Sequence, residues 1–244
     1  MQPLLAEQRW PATVYVETDV LDERRVNWSH KYFWCVAQRG EEAFARAYAE
    51  GCREPEVRAS LESALEDGSR LGYRVKRVLK YDADPADRAR VTDEVFRAWG
   101  GQESALCESL FMTWDDVAAL AAAGLEIGAH TRSHPVLSRL GADEQRAEIG
   151  GSAESIERRL GRRPRSFAYP FGRRWDVDPH SSVAAGEARF ETAVSSHSGT
   201  NEAGADVHAL KRVCIDNDFR MHLLATEVCG GFELLRRLGL DWSE

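Results

Sequence analysis

Two histidines stand four residues apart in the run His130-Thr-Arg-Ser-His134-Pro. Neutral imidazole is a ligand for zinc, nickel, cobalt or ferrous iron. At this spacing both rings can reach one ion if the segment forms a helical turn or a tight loop. The alternative is two histidines satisfied at the surface or in the core. Context favours the metal reading: the pair directly follows the short apolar segment Leu125-Glu-Ile-Gly-Ala129, and Pro135 closes it. A second candidate segment, Ser166-Phe-Ala-Tyr-Pro-Phe-Gly172, carries aromatic residues around a proline.

Other chemistries find less support. The five cysteines, at 35, 52, 107, 214 and 229, form no CxxC pair and read as reduced, mostly structural thiols. A formal net charge of −8 argues against a nucleic-acid binder. There is no apolar run long enough for a transmembrane helix. The first residues lack a signal-peptide pattern, which as written points to the cytoplasm.

The elements that must position these residues follow from periodicity. Ala12 to Glu17 reads as a buried strand, and Pro3 to Arg9 as the end of a helix. Residues 41–110 carry three stretches of helical spacing, including Phe44/Tyr48, Val57/Leu61/Ala64 and Val91/Val95/Phe96. Pro55 and Pro85 mark boundaries between them. Thr113 to Asp116 resembles a helix start, and Gly124 a helix end. A strand at 125–129 then delivers His130. A helix over 143–160 stops at Gly161, and strands follow at 166–169, 190–195 and 210–215. Strands alternating with helices predict βα units around a parallel sheet. The strand ends at His130 and Pro170 would then share the carboxyl-end face, where such folds build their sites.

At this point the sequence resembles a known family. Gly124 to Ser138 is similar to the second motif of the NodB-type polysaccharide deacetylases, carbohydrate esterase family 4, and Gly161 to Gly172 to their third. Pro11-Ala-Thr-Val-Tyr-Val16 resembles an early strand of that family. Phe190 to Val194 and Leu210 to Val213 resemble late strands of a subgroup carrying Phe-Ala-Tyr-Pro-[Tyr/Phe]-Gly. The resemblance implies an α/β fold, an irregular (β/α)7-type barrel forming one domain over 1–244, with 41–110 as a helical insertion. It implies hydrolysis of N-acetyl or O-acetyl groups on a sugar, with a divalent metal held by one aspartate and two histidines, here His130 and His134. Zinc is the first expectation, with cobalt, nickel and iron as alternatives. Such an ion polarises the acetyl carbonyl and lowers the pKa of water from about 15.7 towards about 7. Carried over residue by residue, the Phe171 backbone N–H is the oxyanion donor. His197 is the candidate acid, with His208 and His222 as alternatives. Tyr169, Phe171 and Arg212 are candidate substrate-binding residues, Tyr169 and Phe171 being either pocket wall or barrel core, and Arg212 being either a partner of an active-site carboxylate or part of a surface or structural ion pair. Thr131 steadies the metal loop or simply bonds local backbone.

One part of the pattern is missing. The family's Thr-Phe-Asp-Asp motif, which carries the base and the aspartate ligand, has no counterpart in the chain. It should precede Pro11 by roughly twenty residues, whereas ten residues stand there. Asp19 and Asp22 follow the wrong strand, and Asp115-Asp116 suit a helix start. The expectation is therefore a barrel that lacks its first strand, N-terminally incomplete, with impaired activity. The competing expectation is a catalytically inactive carbohydrate-binding protein with the same barrel.

Overall fold

A computed structural model describes residues 2–8, 10–215, 221–238 and 240. The chain divides into two compact units. One comprises Met1–Thr18 with Asp115–Glu244, and the other is Asp19–Trp114. Among the described residues no helix is long and apolar enough to cross a membrane.

The first unit is built on a parallel sheet of four strands in the order β1 (Thr13–Val16), β2 (Glu126–Ala129), β3 (Ser166–Ala168) and β4 (Thr192–Val194). β1 is rich in β-branched and aromatic residues, which suit a pleated surface. It pairs with β2 in the register Thr13↔Glu126 to Val16↔Ala129. Gly128 makes that register possible, because a Cβ there would fall 2.5 Å from the Tyr15 ring. Helix Ala142–Leu160 crosses from β2 to β3, and helix Pro179–Glu187 from β3 to β4. The first of these turns Ile149, Ala153 and Ile156 inward, one helical face of apolar residues joining Ile127, Phe167 and Ala193 in the core. It ends at Gly161, whose φ of +69° is the left-handed stop a glycine permits.

This sheet corrects the expected barrel. Among the described residues it is open, with β1 and β4 at its margins, and it does not close on itself. The strand expected over 210–215 contributes only a parallel bridge between Leu210 and Val194. The reason is local. The Lys211 N–H goes to Asn201 Oδ1 at 2.9 Å, and the Lys211 carbonyl accepts from Asn201 Nδ2 at 2.8 Å. A side chain thus takes the groups that a longer ladder would use. The helix expected near Pro3 to Arg9 runs Gln2–Gln8, with Arg9 outside the described residues.

The second unit is helical, and the segment expected over 41–110 lies within it. Helix Trp28–Gly51 starts at Asn27, whose side chain accepts from the Ser29 and His30 amides, and it kinks at Gly40. Helices Pro55–Asp67 and Pro85–Ala98 each begin at a proline, where the missing N–H costs nothing. Tyr32, Phe44, Tyr48, Leu61, Val91 and Phe96 form its core. Lys31 is buried there between Asp93 at 2.6 Å and Glu103 at 2.8 Å. Cys35, Cys52 and Cys107 are buried thiols, as expected, whereas Cys214 and Cys229 are exposed.

Candidate active site

Three parallel strands bring the candidate residues to one edge of the sheet. β2 leads directly into His130, β3 into Tyr169-Pro170, and β4 into Ser195 to His197. His130 is fixed first by backbone, its N–H donating to the Val16 carbonyl at 3.0 Å. Its ring Nδ1 lies 2.6 Å from the Ala168 carbonyl oxygen. A carbonyl can only accept, so Nδ1 carries the proton and donates, which leaves the Nε2 lone pair for a ligand. Burial holds the His130 pKa down at about 4, against the pull of the Ala168 carbonyl and with a smaller push from Arg212. The ring is therefore neutral near pH 7, the form in which imidazole binds a metal.

The loop then doubles back. Thr131 at φ +63° and His134 at φ +57° both take the left-handed conformation. Buried Thr131 accepts the His134 N–H on its hydroxyl oxygen at 3.1 Å. Glu148, from helix Ala142–Leu160, accepts the Arg132 and Ser133 amides on one oxygen, each at 2.9 Å, and the Ser133 hydroxyl on the other at 2.7 Å. Gly151 leaves room for Arg132 to lie along the same helix, since a Cβ there would meet the Arg132 side chain at 2.7 Å. The outcome is that the two imidazoles meet edge to face, centroids 4.8 Å apart at 74°. The Phe171 ring also meets His134 edge to face, centroids 4.7 Å apart.

The third segment is held as tightly. Phe171 has φ +58° and Gly172 φ +71°. The Gly172 carbonyl accepts the Ser196 N–H at 2.7 Å, an approach that a Cβ at 172 would block at 2.6 Å from that nitrogen. Tyr169 is buried against Phe167, and its hydroxyl donates to the His208 carbonyl at 2.7 Å. The His208 ring meets the Phe190 carbonyl at 2.8 Å, so this histidine ties the outer strand together. His222 is exposed on helix Met221–Val228. His197 follows β4 at the same sheet edge, its N–H on the Ser195 hydroxyl at 3.2 Å. Arg212 donates through its backbone N–H to the His197 carbonyl and through Nη2 to the Ser196 hydroxyl. Its buried Nε has no hydrogen-bond partner.

Two imidazoles, one with its second nitrogen tied to a carbonyl, fit a divalent cation as part of a donor set. No third histidine, cysteine or carboxylate among the described residues comes close enough to both to complete it. The group of three such donors found among those residues, Cys52, Glu54 and Asp87, belongs to the helical unit. There Asp87 is paired with Arg90 and accepts the Arg53 N–H. Periodicity gave no sign of two residues that the fold brings in. Glu148 is one. Glu17 is the other, a buried carboxylate that the β1–β2 register carries alongside His130.

Several solved structures resemble the chain. The Streptococcus pyogenes deacetylase PplD is 16% identical with a TM-score of 0.45, over 89% of this chain and 95% of that one. A de-N-acetylase from Aggregatibacter actinomycetemcomitans is 18% identical with a TM-score of 0.43, over 52% of this chain and 55% of that one. A polysaccharide deacetylase from Bacillus cereus is 20% identical with a TM-score of 0.42, over 48% and 37%. In the last two comparisons the matched region spans about half or less of the relative's length. Comparison with curated proteins finds no match. Residues 87–186, which include both histidines and the whole of the Ser166–Gly172 segment, match the family model for polysaccharide deacetylase.

Proposed function

We propose that this chain is a metal-dependent hydrolase that removes acetyl groups, N-linked or O-linked, from a polysaccharide or related sugar. The observation that carries the reading is the pair of facing imidazoles at the carboxyl edge of the sheet, inside the segment that matches the deacetylase model. In this reading His130 and His134 hold a divalent cation, zinc before cobalt, nickel or iron. When bound, the cation supplies Lewis-acid polarisation of the acetyl carbonyl and a source of hydroxide.

The remaining work falls to the chain. The Ala168 carbonyl keeps the proton on His130 Nδ1 and so keeps Nε2 available. The Phe171 backbone N–H is the proposed donor to the developing oxyanion, in a turn whose shape Gly172 fixes. His197 is the proposed acid for the leaving amine or alcohol. Arg212, with an unpaired buried Nε, binds an acceptor group of the substrate. Turnover is expected to be low, because the sequence carries no Thr-Phe-Asp-Asp run to supply a dedicated base, and Asp115-Asp116 open a helix instead.

A second reading is a carbohydrate-binding protein without activity. It draws on the incomplete donor set among the described residues. Acetate release from N-acetylglucosamine oligomers, with and without added zinc or cobalt, separates the two. Release that needs metal and is lost in His130→Ala and His134→Ala supports the hydrolase. Oligomer binding without release supports the second reading.

A further inference from the structure

Trp175 is an exposed tryptophan on a loop held by several hydrogen bonds. Its side chain is large and apolar, and the residue is 58% exposed. The loop beneath it is pinned from two directions. The Trp175 carbonyl accepts the Ser138 hydroxyl at 2.6 Å, and the next carbonyl, that of Asp176, accepts the Ser138 N–H at 3.0 Å. Asp176 is fully buried, and its carboxylate accepts the Arg173 N–H at 3.0 Å while its own N–H donates to the Arg173 carbonyl. Two residues on, Asp178 caps helix Pro179–Glu187.

The loop therefore joins two parts of the candidate site. Phe171, four residues before Trp175, packs on His134, and Ser138, four residues after His134, clamps Trp175. These bonds fix the backbone from which the indole projects, so less of the chain has to be ordered when a ligand arrives. The Arg174 guanidinium lies over the ring at 4.1 Å from its centroid. Such a cation–π pair orients the indole and occupies one of its faces.

We propose that Trp175 is a stacking platform for a pyranose ring of the glycan chain, adjacent to the residue being deacetylated. This rests on the deacetylase reading of the same site. A pyranose presents a patch of C–H groups on one face while its hydroxyls point outward around the rim. That patch matches the bare indole face, and the hydroxyls keep their water. The platform selects a chain over a single sugar, since only a chain can reach the histidine pair and cover Trp175 together.

The test uses the full chain with tetra-N-acetylchitotetraose and monomeric N-acetylglucosamine as probes. Binding is followed by calorimetry and by indole fluorescence, and acetate release is measured in parallel with zinc present. Trp175→Ala is expected to weaken tetramer binding about tenfold and to leave monomer binding within about twofold. Trp175→Phe is expected to retain most of the tetramer affinity, and Arg174→Ala to give an intermediate loss. An unchanged thermal midpoint in Trp175→Ala, as befits an exposed ring, assigns the loss to the platform. Tetramer affinity equal in wild type and Trp175→Ala, or no tetramer binding by the wild type, overturns the inference. If the wild type releases acetate and Trp175→Ala matches it in affinity and KM, the platform fails and the hydrolase stands. If tetramer binding depends on Trp175 but no acetate is released, the platform stands and the hydrolase fails.

Discussion

Ser133 and Glu148 are joined twice, the carboxylate accepting the serine N–H at 2.9 Å and its hydroxyl at 2.7 Å. The same carboxylate takes the Arg132 N–H. A residue of the crossover helix thus fixes the loop between the two histidines through Arg132 and Ser133. Groups that orient ligands from outside commonly change metal affinity by about 10–100-fold when removed. Glu148→Ala is expected to lower zinc affinity by about tenfold or more, read by calorimetric titration of the metal-free protein. Glu148→Gln, which keeps one acceptor oxygen, is expected to fall between. Equal affinity in all three proteins would remove Glu148 from the site.

His130 gives stability a specific pH dependence. Its folded pKa of about 4 lies below the ordinary 6.5, because burial disfavours the cation. Between those values the unfolded chain binds a proton that the folded protein refuses, so stability rises with pH across this window. It is lost as pH falls from about 6.5 to about 4, by on the order of 2–3 kcal/mol. Urea unfolding of the metal-free protein at pH 4.5 and pH 7 measures this. His130→Asn is expected to flatten that part of the profile, and an unaltered slope in the variant would exclude His130 as its source.

Gly128 is expected to be intolerant of any side chain. A Cβ there would sit 2.5 Å from the Tyr15 ring and 2.9 Å from the Ser166 hydroxyl. The strand has to shift or the ring has to leave its place, at a cost of about 1–3 kcal/mol. Gly128→Ala is expected to lower the thermal midpoint, and Gly128→Ala with Tyr15→Ala to recover part of the loss.

Lys31 is expected to matter to the helical unit as a charge. It is 5% exposed and meets two carboxylates that are themselves half-buried. Lys31→Ala leaves Asp93 and Glu103 facing one another, with Arg97 still paired to Asp93. The expected loss is about 2 kcal/mol, below the full cost of a wholly buried pair because the acids retain water. Chemical denaturation of the variant measures it.

Much of this fold was legible in the sequence because local signals agreed with each other. Pro55 and Pro85 start helices, Gly161 stops one, and the β-rich run after Pro11 forms an edge strand. The histidine spacing left a helical turn and a tight loop open, and the fold takes the loop, with Thr131 and His134 both at positive φ. What the sequence concealed depends on tertiary contacts. Helix Trp28–Gly51 passes Gly40 with a kink, so its first half showed no continuous pattern with the second. Glu148 reads as an ordinary polar helix position until the loop is folded over it. Closure of the sheet is not a property of any strand, and among the described residues four strands with a bridge at Leu210 make an open one. Tyr169 illustrates the ambiguity of an aromatic motif, since its hydroxyl is used to hold the backbone at His208.

In the proposed function the facing imidazoles of His130 and His134 serve acetyl hydrolysis on a glycan. Its most direct test is acetate released from tetra-N-acetylchitotetraose by the zinc-loaded full chain, compared with His134→Ala prepared in the same way. The expected result is slow release that exceeds one acetate per protein molecule, stops on chelation and is absent in the variant. Release that persists in His134→Ala, or no release by the wild-type chain with zinc bound, would contradict it.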